Sequence, residues 1–415
     1  MITNMLRLLM ARSIRPFVFK SNFKDSQDID VKKIGLYFHI PFCKKICSFC
    51  PYYKIKFDRI LLKEFNRALI KELYLVSELA GRKKEITSVY FGGGSPALMI
   101  DHLHELMDNI KDLFIIKGNI GIELHPREIN EKLLKRIKDL GFNIISIGIQ
   151  SFQDSCIISL GREIIDSESK LRMAKKAGFE AIDVDLIFGI PGQTKEELIK
   201  DFKIAAASGA TQISTYPFIE FSYTQTVKNL SGNRSGKQML QILSDISKKM
   251  GFERSSVWTF TKKNTPKYSS VTRDNYIGFG PSAASLLKDV FKINTFSVKE
   301  YIKCLDSNRI PAALGLKFNE RTRALYWLFW SSYNLNISQK DFLRLFSRRL
   351  GDFFRIELYL GQKLKYLKKY KNSYRLTDKG AYIFHLVEQS YTHQYIDKTW
   401  RAAMRDPWPK KIVLY

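Results

Sequence analysis

Between residues 35 and about 218, the hydrophobic pattern switches back and forth between two periods. Apolar, β-branched runs occupy Gly35–Ile40, Ser88–Phe91, Asn119–Leu124, Asn143–Ile149, Ala181–Phe188 and Gln212–Phe218. Between them, apolar positions recur at three- and four-residue spacing over Leu61–Glu78, Asp101–Leu113, Asn130–Leu140, Ser167–Lys176 and Lys195–Ala206. The first kind of run predicts strands and the second predicts helices. Their regular alternation predicts parallel strands joined by crossover helices, hence an α/β fold. Six such units make a partial (β/α)6 TIM-like barrel, open on one side. A closed eight-unit barrel needs two more, and the sequence does not clearly offer them. Chemistry in such barrels gathers at the C-terminal ends of the strands, so polar residues that close a strand are the first candidates.

Beyond residue 218 the pattern changes. Glu253 to about Ser285 reads as an irregular cover, with Tyr276-Ile277-Gly278-Phe279-Gly280 inside it. Glu320–Tyr333 is an aromatic-rich helix, followed by helices at Ser338–Phe346 and Gly351–Leu360. Tyr374-Arg375-Leu376-Thr377 with Lys379-Gly380 then signals a strand and turn before another helix. This order resembles a winged-helix module, a helical C-terminal domain. The expected division is an N-terminal extension at 1–34 and barrel with cover at 35–285. A winged-helix-like lid at 286–390 and a basic aromatic tail at 391–415 complete it.

Composition adds bounds. Hydrophobic residues make up 45% and charged residues 26%, the balance of a globular chain. No run of eighteen apolar residues exists, so no transmembrane span is expected. Met1–Phe19 is apolar and basic but lacks a signal-peptide layout. It reads as a structured extension, with a surface-binding helix as the alternative. The expected location is cytoplasmic, at most peripheral to a membrane. Net charge is +27, and residues 286–415 carry 25 Lys and Arg against 11 Asp and Glu. Such a field favours nucleic acid, acidic lipid or a polycarboxylate substrate, although a solvated lysine-rich surface explains it equally.

Three of the five cysteines, Cys43, Cys47 and Cys50, lie within eight residues in a C-x3-C-x2-C spacing. A structural zinc site takes four ligands, and here the fourth is missing. His39 is upstream in an apolar strand, where its ring is expected to pack or to bond the backbone. Cys156 and Cys304 stand alone in helical surroundings and read as core residues. Soft thiolates select zinc or iron–sulfur, and three of them leave one iron open.

The triad, with Phe49 before its last cysteine, resembles the radical S-adenosylmethionine (SAM) superfamily. There a [4Fe–4S] cluster has three cysteine-bound irons, and the fourth iron is chelated by SAM. Reduction cleaves SAM to methionine and a 5′-deoxyadenosyl radical. The wider string Tyr37-Phe38-His39-Ile40-Pro41-Phe42-Cys43 resembles the oxygen-independent coproporphyrinogen III oxidase branch and its relatives. Further strand-end motifs fit. Gly92-Gly93-Gly94-Ser95-Pro96 is a loop whose glycines allow close backbone approach and can expose N–H groups to an anion. It resembles the family's SAM-contacting glycine loop, with Ser95 in place of Thr. Tyr37, Phe49, Gly93, Gly94, Ser95 and Glu123 match contacts to the cluster-bound SAM. Gln150, Arg162 and Asp185 match positions that hold a second SAM. The cofactors implied are a [4Fe–4S] cluster and one or two SAM molecules.

The pattern also departs from the branch. Tyr52 stands where the oxidases carry a fourth cysteine, and residues 1–34 show no Tyr- and Ser-rich extension. The haem chaperones carry a His-Asn-x-x-Tyr-Trp motif where this chain has Pro266 to Val271. These departures favour a third group, the class C methylases, which act on flat conjugated substrates. The expected function is therefore methyl transfer to an sp2 carbon. Coproporphyrinogen oxidation and haem chaperoning are the alternatives. The implied partners are a planar or tetrapyrrole-like substrate and a single-electron donor such as flavodoxin or ferredoxin. Related enzymes use the winged helix as a lid, so nucleic acid is not expected. The aromatic residues Tyr326, Trp327, Phe329 and Trp330 suit a planar substrate, with core packing favoured for them. No catalytic side chain is assigned.

Overall fold

The computed structural model describes residues 8–13, 15–21, 31, 33–80, 83–224, 236–266 and 274–415. The first seven residues of the expected extension and most of the Pro266–Val271 stretch lie outside the described residues. Six parallel strands form the centre: β1 (Lys33–Ile40), β2 (Glu85–Gly93), β3 (Ile115–Leu124), β4 (Ile144–Gln150), β5 (Ala181–Phe188) and β6 (Gln212–Pro217). They pair in sequence order, each parallel to the next. The crossovers carry α1 (Arg59–Ala80), α2 (Ile100–Leu113), α3 (Glu131–Asp139), α4 (Ser167–Ala177) and α5 (Lys195–Ser208). Local signals set the helix starts. Asn130 accepts from the Leu133 amide at 2.9 Å, and Thr194 forms a capping box with Glu197. Gly178, at φ 73°, ends α4 in the left-handed region that glycine tolerates.

The six-unit partial barrel and the helical C-terminal region agree with the sequence reading. The irregular cover expected at Glu253–Ser285 does not. Helix α6 (Gly236–Lys249) leads into β7 (Phe252–Arg254) and β8 (Thr259–Lys262), which extend the sheet beyond β6. On the other side, β9 (Tyr276–Phe279) runs parallel to β1, in register from Tyr276 beside Gly35 to Phe279 beside Phe38. Antiparallel β10 (Ala284–Leu287), β11 (Val290–Asn294) and β12 (Ala312–Lys317) follow. A strand at Phe17–Lys20 pairs with both β12 and Lys411–Leu414, so one sheet of fourteen strands holds the molecule together. These outer strands are three to six residues long, too short for a periodicity to register.

Alternation along β1 sets the two faces. Leu36, Phe38 and Ile40 enter the main core, while Tyr37 and His39 line a cavity. Phe38 stacks between Phe91 and Phe279, at 4.7 and 4.8 Å between ring centres. This row locks β2, β1 and β9 together.

The last third has its own core. Helices α8 (Glu320–Tyr333), α9 (Gln339–Phe346) and α10 (Leu350–Lys363) pack around Trp327, Phe342 and Phe354, with α7 (Val298–Asp306) before them. A three-stranded antiparallel sheet of Asn336–Ser338, Ser373–Leu376 and Leu367–Lys369 completes the wing. Then α11 (Asp378–Tyr391), a π-helical turn at Thr392–Ile396 and α12 (Asp397–Arg405) run across the open end of the strands. Trp408 of the tail donates to Glu300 at 3.0 Å and packs on the body of the protein. No described helix is long and apolar enough to cross a membrane.

Candidate functional site

The cysteine loop hangs from the end of β1. Its base is tied by a short parallel pair, Phe42–Cys43 with Ile55–Lys56, closed by Ile55 N–H donating to Pro41 O at 2.7 Å. Ser48 Oγ donates to Leu160 O at 3.1 Å and pins the far side of the loop. Cys43, Cys47 and Cys50 are all partly exposed and all line one cavity of about 440 Å3. Cys156 and Cys304 are buried elsewhere. Among the described residues, no three His, Cys, Asp or Glu are grouped to hold a single metal ion. Three soft thiols lining one cavity, one donor short of a closed zinc tetrahedron, suit an iron–sulfur cluster with one iron left open. Burial and mutual repulsion push the Cys43 thiol up to about 12, and burial also raises Cys50. Metal must therefore displace protons to bind. Lys54 eases this at Cys50, because its ammonium donates to Cys50 O at 2.6 Å and opposes the rise.

His39 is not a fourth ligand. Its Nε2 faces Tyr53 O at 2.8 Å, an acceptor, so Nε2 carries the proton. Nδ1 then accepts from the Tyr37 hydroxyl at 3.0 Å. Burial lowers the ring to about 4 and keeps it neutral. Tyr37 thus reaches the site partly through His39 and stacks on Tyr90 at 5.8 Å.

The glycine loop ends β2. The sequence suggested amides open to an anion, but those of Gly93, Gly94 and Ser95 are already bonded within the protein. Gly93 N–H donates to Glu123 at 3.0 Å, Gly94 N–H to Ile40 O at 2.7 Å, and Ser95 N–H to Phe42 O at 2.8 Å. The Ser95 hydroxyl donates to Glu128. What the glycines supply is proximity. A Cβ on Gly94 would stand 2.5 Å from Phe42 O, and one on Gly93 2.7 Å from the His39 ring. The loop therefore clamps the root of the cysteine loop.

Strand ends bring the remaining candidates into the same cavity. Glu123, on β3, accepts from Tyr90 and from Gly93, and burial raises its carboxyl to about 7. Gln150 closes β4 at φ 74°, beside a bulge opposite β5. A non-glycine residue in that region is a strain that often marks a functional site. Arg162 is half-buried. Its guanidinium donates to Gly148 O at 2.7 Å and to His125 Nε2. Burial lowers Arg162, and the nearby cysteine thiolates oppose that. Asp185, on β5, accepts from Ser146 at 3.0 Å and is raised by burial, then by Asp183 and Glu123. Phe49 packs against Cys156 and Ile187 under the loop. The structure thus gathers Phe49, Gly93, Gly94, Ser95, Glu123, Gln150, Arg162 and Asp185 around the cysteines, with Tyr37 in an adjoining cavity.

Sequence reasoning missed the opposite wall. Tyr216, Trp258, Tyr333, Glu388 and Trp400 line the cavity from β6, the turn before β8, α8, α11 and α12. Trp258 donates to His385 of α11 at 3.0 Å, which joins β8 to the roof. Tyr52 lies against Trp400 at 5.6 Å. The aromatic helix α8 divides its residues. Trp327 is core, and Trp330 is cavity wall.

Comparisons with known proteins bear on the family and the fold. Residues 37–205 match the family profile described as "Radical SAM superfamily". The heme chaperone HemW of Bacillus subtilis (strain 168) is 27% identical over 291 residues, 66% of this chain and 76% of that protein. The oxygen-independent coproporphyrinogen III oxidase of Pseudomonas aeruginosa is 25% identical over 319 residues, 70% of this chain and 69% of its own length. The solved coproporphyrinogen III oxidase HemN from Escherichia coli superposes with a TM-score of 0.76 at 21% identity. That superposition covers 92% of this chain and 98% of the other, and it extends the shared fold through the C-terminal region. Residues 37–205 are a radical SAM domain, whose cofactors are a [4Fe–4S] cluster and SAM. The relatives described are chaperones and oxidases, and the expected methyl transfer draws no support from them.

Proposed function

We propose that this radical SAM protein of the HemN/HemW type acts on a tetrapyrrole, removing carbon dioxide from a propionate side chain. The observation that carries the reading is the continuity of one cavity. Three cysteines and the acidic strand ends form its floor, and Tyr216, Trp258, Trp330 and Trp400 form an aromatic wall. Flat apolar surface suits a macrocycle. Lys44, Lys45 and Arg127 at the mouth suit its carboxylates.

Cys43, Cys47 and Cys50 would hold the cluster, and Tyr37, Phe49, Gly93, Gly94, Ser95 and Glu123 would flank its SAM. Gln150, Arg162 and Asp185 would meet a second SAM or the substrate. Bound and reduced, the cofactors would supply the hydrogen-atom abstraction. The chain supplies position and a dry site. Glu123, held by Gly93 and Tyr90, offers a fixed acceptor to a ribose or ammonium group. Arg162 is anchored by Gly148 O and stabilises thiolate charge. Helices α11 and α12, with the turn between them, bring Glu388, Thr392, Ile396 and Trp400 over the strand ends. The net change takes one hydrogen atom, one electron and carbon dioxide from the side chain and leaves a vinyl group. The hydrogen atom would be taken up by the bound cofactor, and the electron by an external acceptor.

A second reading, haem carriage without turnover, is favoured by Tyr52, an aromatic where the oxidases have a fourth cysteine. One experiment separates them. Anaerobically reconstituted protein is given reductant, SAM and coproporphyrinogen III, a parallel sample is given haem, and products and bound ligand are weighed by mass spectrometry. Decarboxylated product with 5′-deoxyadenosine supports the oxidase reading. Stoichiometric haem binding with no product supports the chaperone. S-adenosylhomocysteine alongside methylated product would overturn both.

A further inference from the structure

The functional reading leaves one buried group of the cavity without a task. Glu388, on α11, is 8% exposed and lines the same cavity as the three cysteines. One of its oxygens accepts from the Thr392 hydroxyl at 3.3 Å. The other, Oε2, has no hydrogen-bond partner among the described residues. Buried polar atoms are nearly always paired, and a lone one is unfavourable until something completes it. The local backbone is also unusual. Thr392 opens the π-helical turn Thr392–Ile396, and both of these residues line the cavity. Such turns are rare and recur at functional sites.

The surroundings limit what the missing partner can be. Trp258, Trp330 and Tyr333 line the same cavity, and their rings are largely apolar. Burial raises the Glu388 carboxyl to about 8, with only the Thr392 bond opposing it. Donors from a ligand would favour the ionised form and offset that burial. A ligand that is flat, apolar at its faces and rich in convergent N–H groups meets both conditions.

We propose that Glu388 is a ligand-binding residue of the cavity roof, its free oxygen accepting hydrogen bonds from the inner N–H groups of a metal-free pyrrolic macrocycle. This rests on the tetrapyrrole reading and sharpens it. A reduced macrocycle keeps all of its inner N–H donors. An oxidised free ring keeps half of them, and an iron-loaded ring has lost them all. Glu388 therefore selects against the iron-loaded form, which separates a porphyrinogen substrate from haem as cargo.

The test titrates the full chain anaerobically with three probes, following quenching of tryptophan fluorescence. The probes are coproporphyrinogen III, coproporphyrin III and iron coproporphyrin III. Wild type is expected to bind them in that order of decreasing affinity. Glu388→Leu should weaken the first at least about tenfold and leave the iron form within about twofold. Glu388→Gln, close in shape and still offering a carbonyl acceptor, should retain most of the wild-type preference. If Glu388→Leu does not fold, the wild-type order and Glu388→Gln carry the test. Equal losses for all three probes, or no loss, or a wild type that favours the iron form, would overturn the assignment while the tetrapyrrole reading stands. A wild type that binds none of the three overturns both.

Discussion

Replacing Gly94 by alanine tests the idea that the glycine loop works by proximity. The added Cβ would lie 2.5 Å from Phe42 O and 2.9 Å from Ile40 O. A carbon–oxygen contact needs about 3.3 Å, so the loop must retreat by about 0.8 Å. The two carbonyls in its way are those that accept from Gly94 and Ser95, at 2.7 and 2.8 Å. That retreat stretches both bonds to the edge of the useful range. Two weakened bonds at about 1 kcal/mol each, with about 1–3 kcal/mol of overpacking, give a local cost of about 3–5 kcal/mol. The strain falls on Phe42, the neighbour of Cys43. The expected result is at least a tenfold weaker SAM affinity in equilibrium dialysis and a lower urea midpoint. Gly192→Ala is the control. Gly192 has φ 83° and nothing within 4 Å of an added Cβ, so it suffers backbone strain of only about 1–2 kcal/mol. If Gly94→Ala binds SAM like wild type and melts in urea like Gly192→Ala, the proximity argument is wrong.

Three further outcomes can be checked. Alanine at Cys43, Cys47 or Cys50 should each abolish stoichiometric iron and sulfide, whereas Cys156→Ala should retain both. Arg162→Lys keeps the charge but loses the planar fork that meets Gly148 O and His125. SAM cleavage should fall at least about tenfold while iron content is unchanged, and retained activity would show that charge alone suffices. Glu72 sits in the core, accepting from Gly280, Asn294 and Tyr301, and burial still raises it to about 7. A folded pKa above the unfolded value means the native state holds more protons between about pH 4.5 and 7. The contribution is present below the unfolded pKa and lost as pH rises through 7, by about 3 kcal/mol. Relative to wild type, Glu72→Gln should flatten the decline in urea stability between pH 5 and 8. An unchanged slope would contradict this account.

What the sequence disclosed was local. The cysteine triad, the glycine run and the polar residues Glu123, Gln150 and Asp185 announce themselves because each closes or interrupts a strong apolar strand pattern. The six-unit barrel was legible for the same reason. The opposite wall was not. Nothing in the local pattern around Tyr216, Trp258 or Glu388 singles them out, and only tertiary packing brings them into the cavity of the cysteines. Strands β7 to β9 are three or four residues long, which is below the length at which alternation differs from chance. The glycine amides misled in another way. Composition shows that backbone can approach, but not which carbonyl has already claimed the N–H.

On the side away from β2, the neighbour of β1 is β9, which begins roughly 240 residues further along the chain. A ribosome adding roughly 5–20 residues per second needs roughly 12–48 s to cover that interval. Throughout it, one flank of the strand that bears the cysteine loop has no partner, and Phe38 lacks one of its two stacking rings. Metal delivery during synthesis would meet a nascent chain with a loose, aggregation-prone margin. Loading after release from the ribosome is the safer order of assembly.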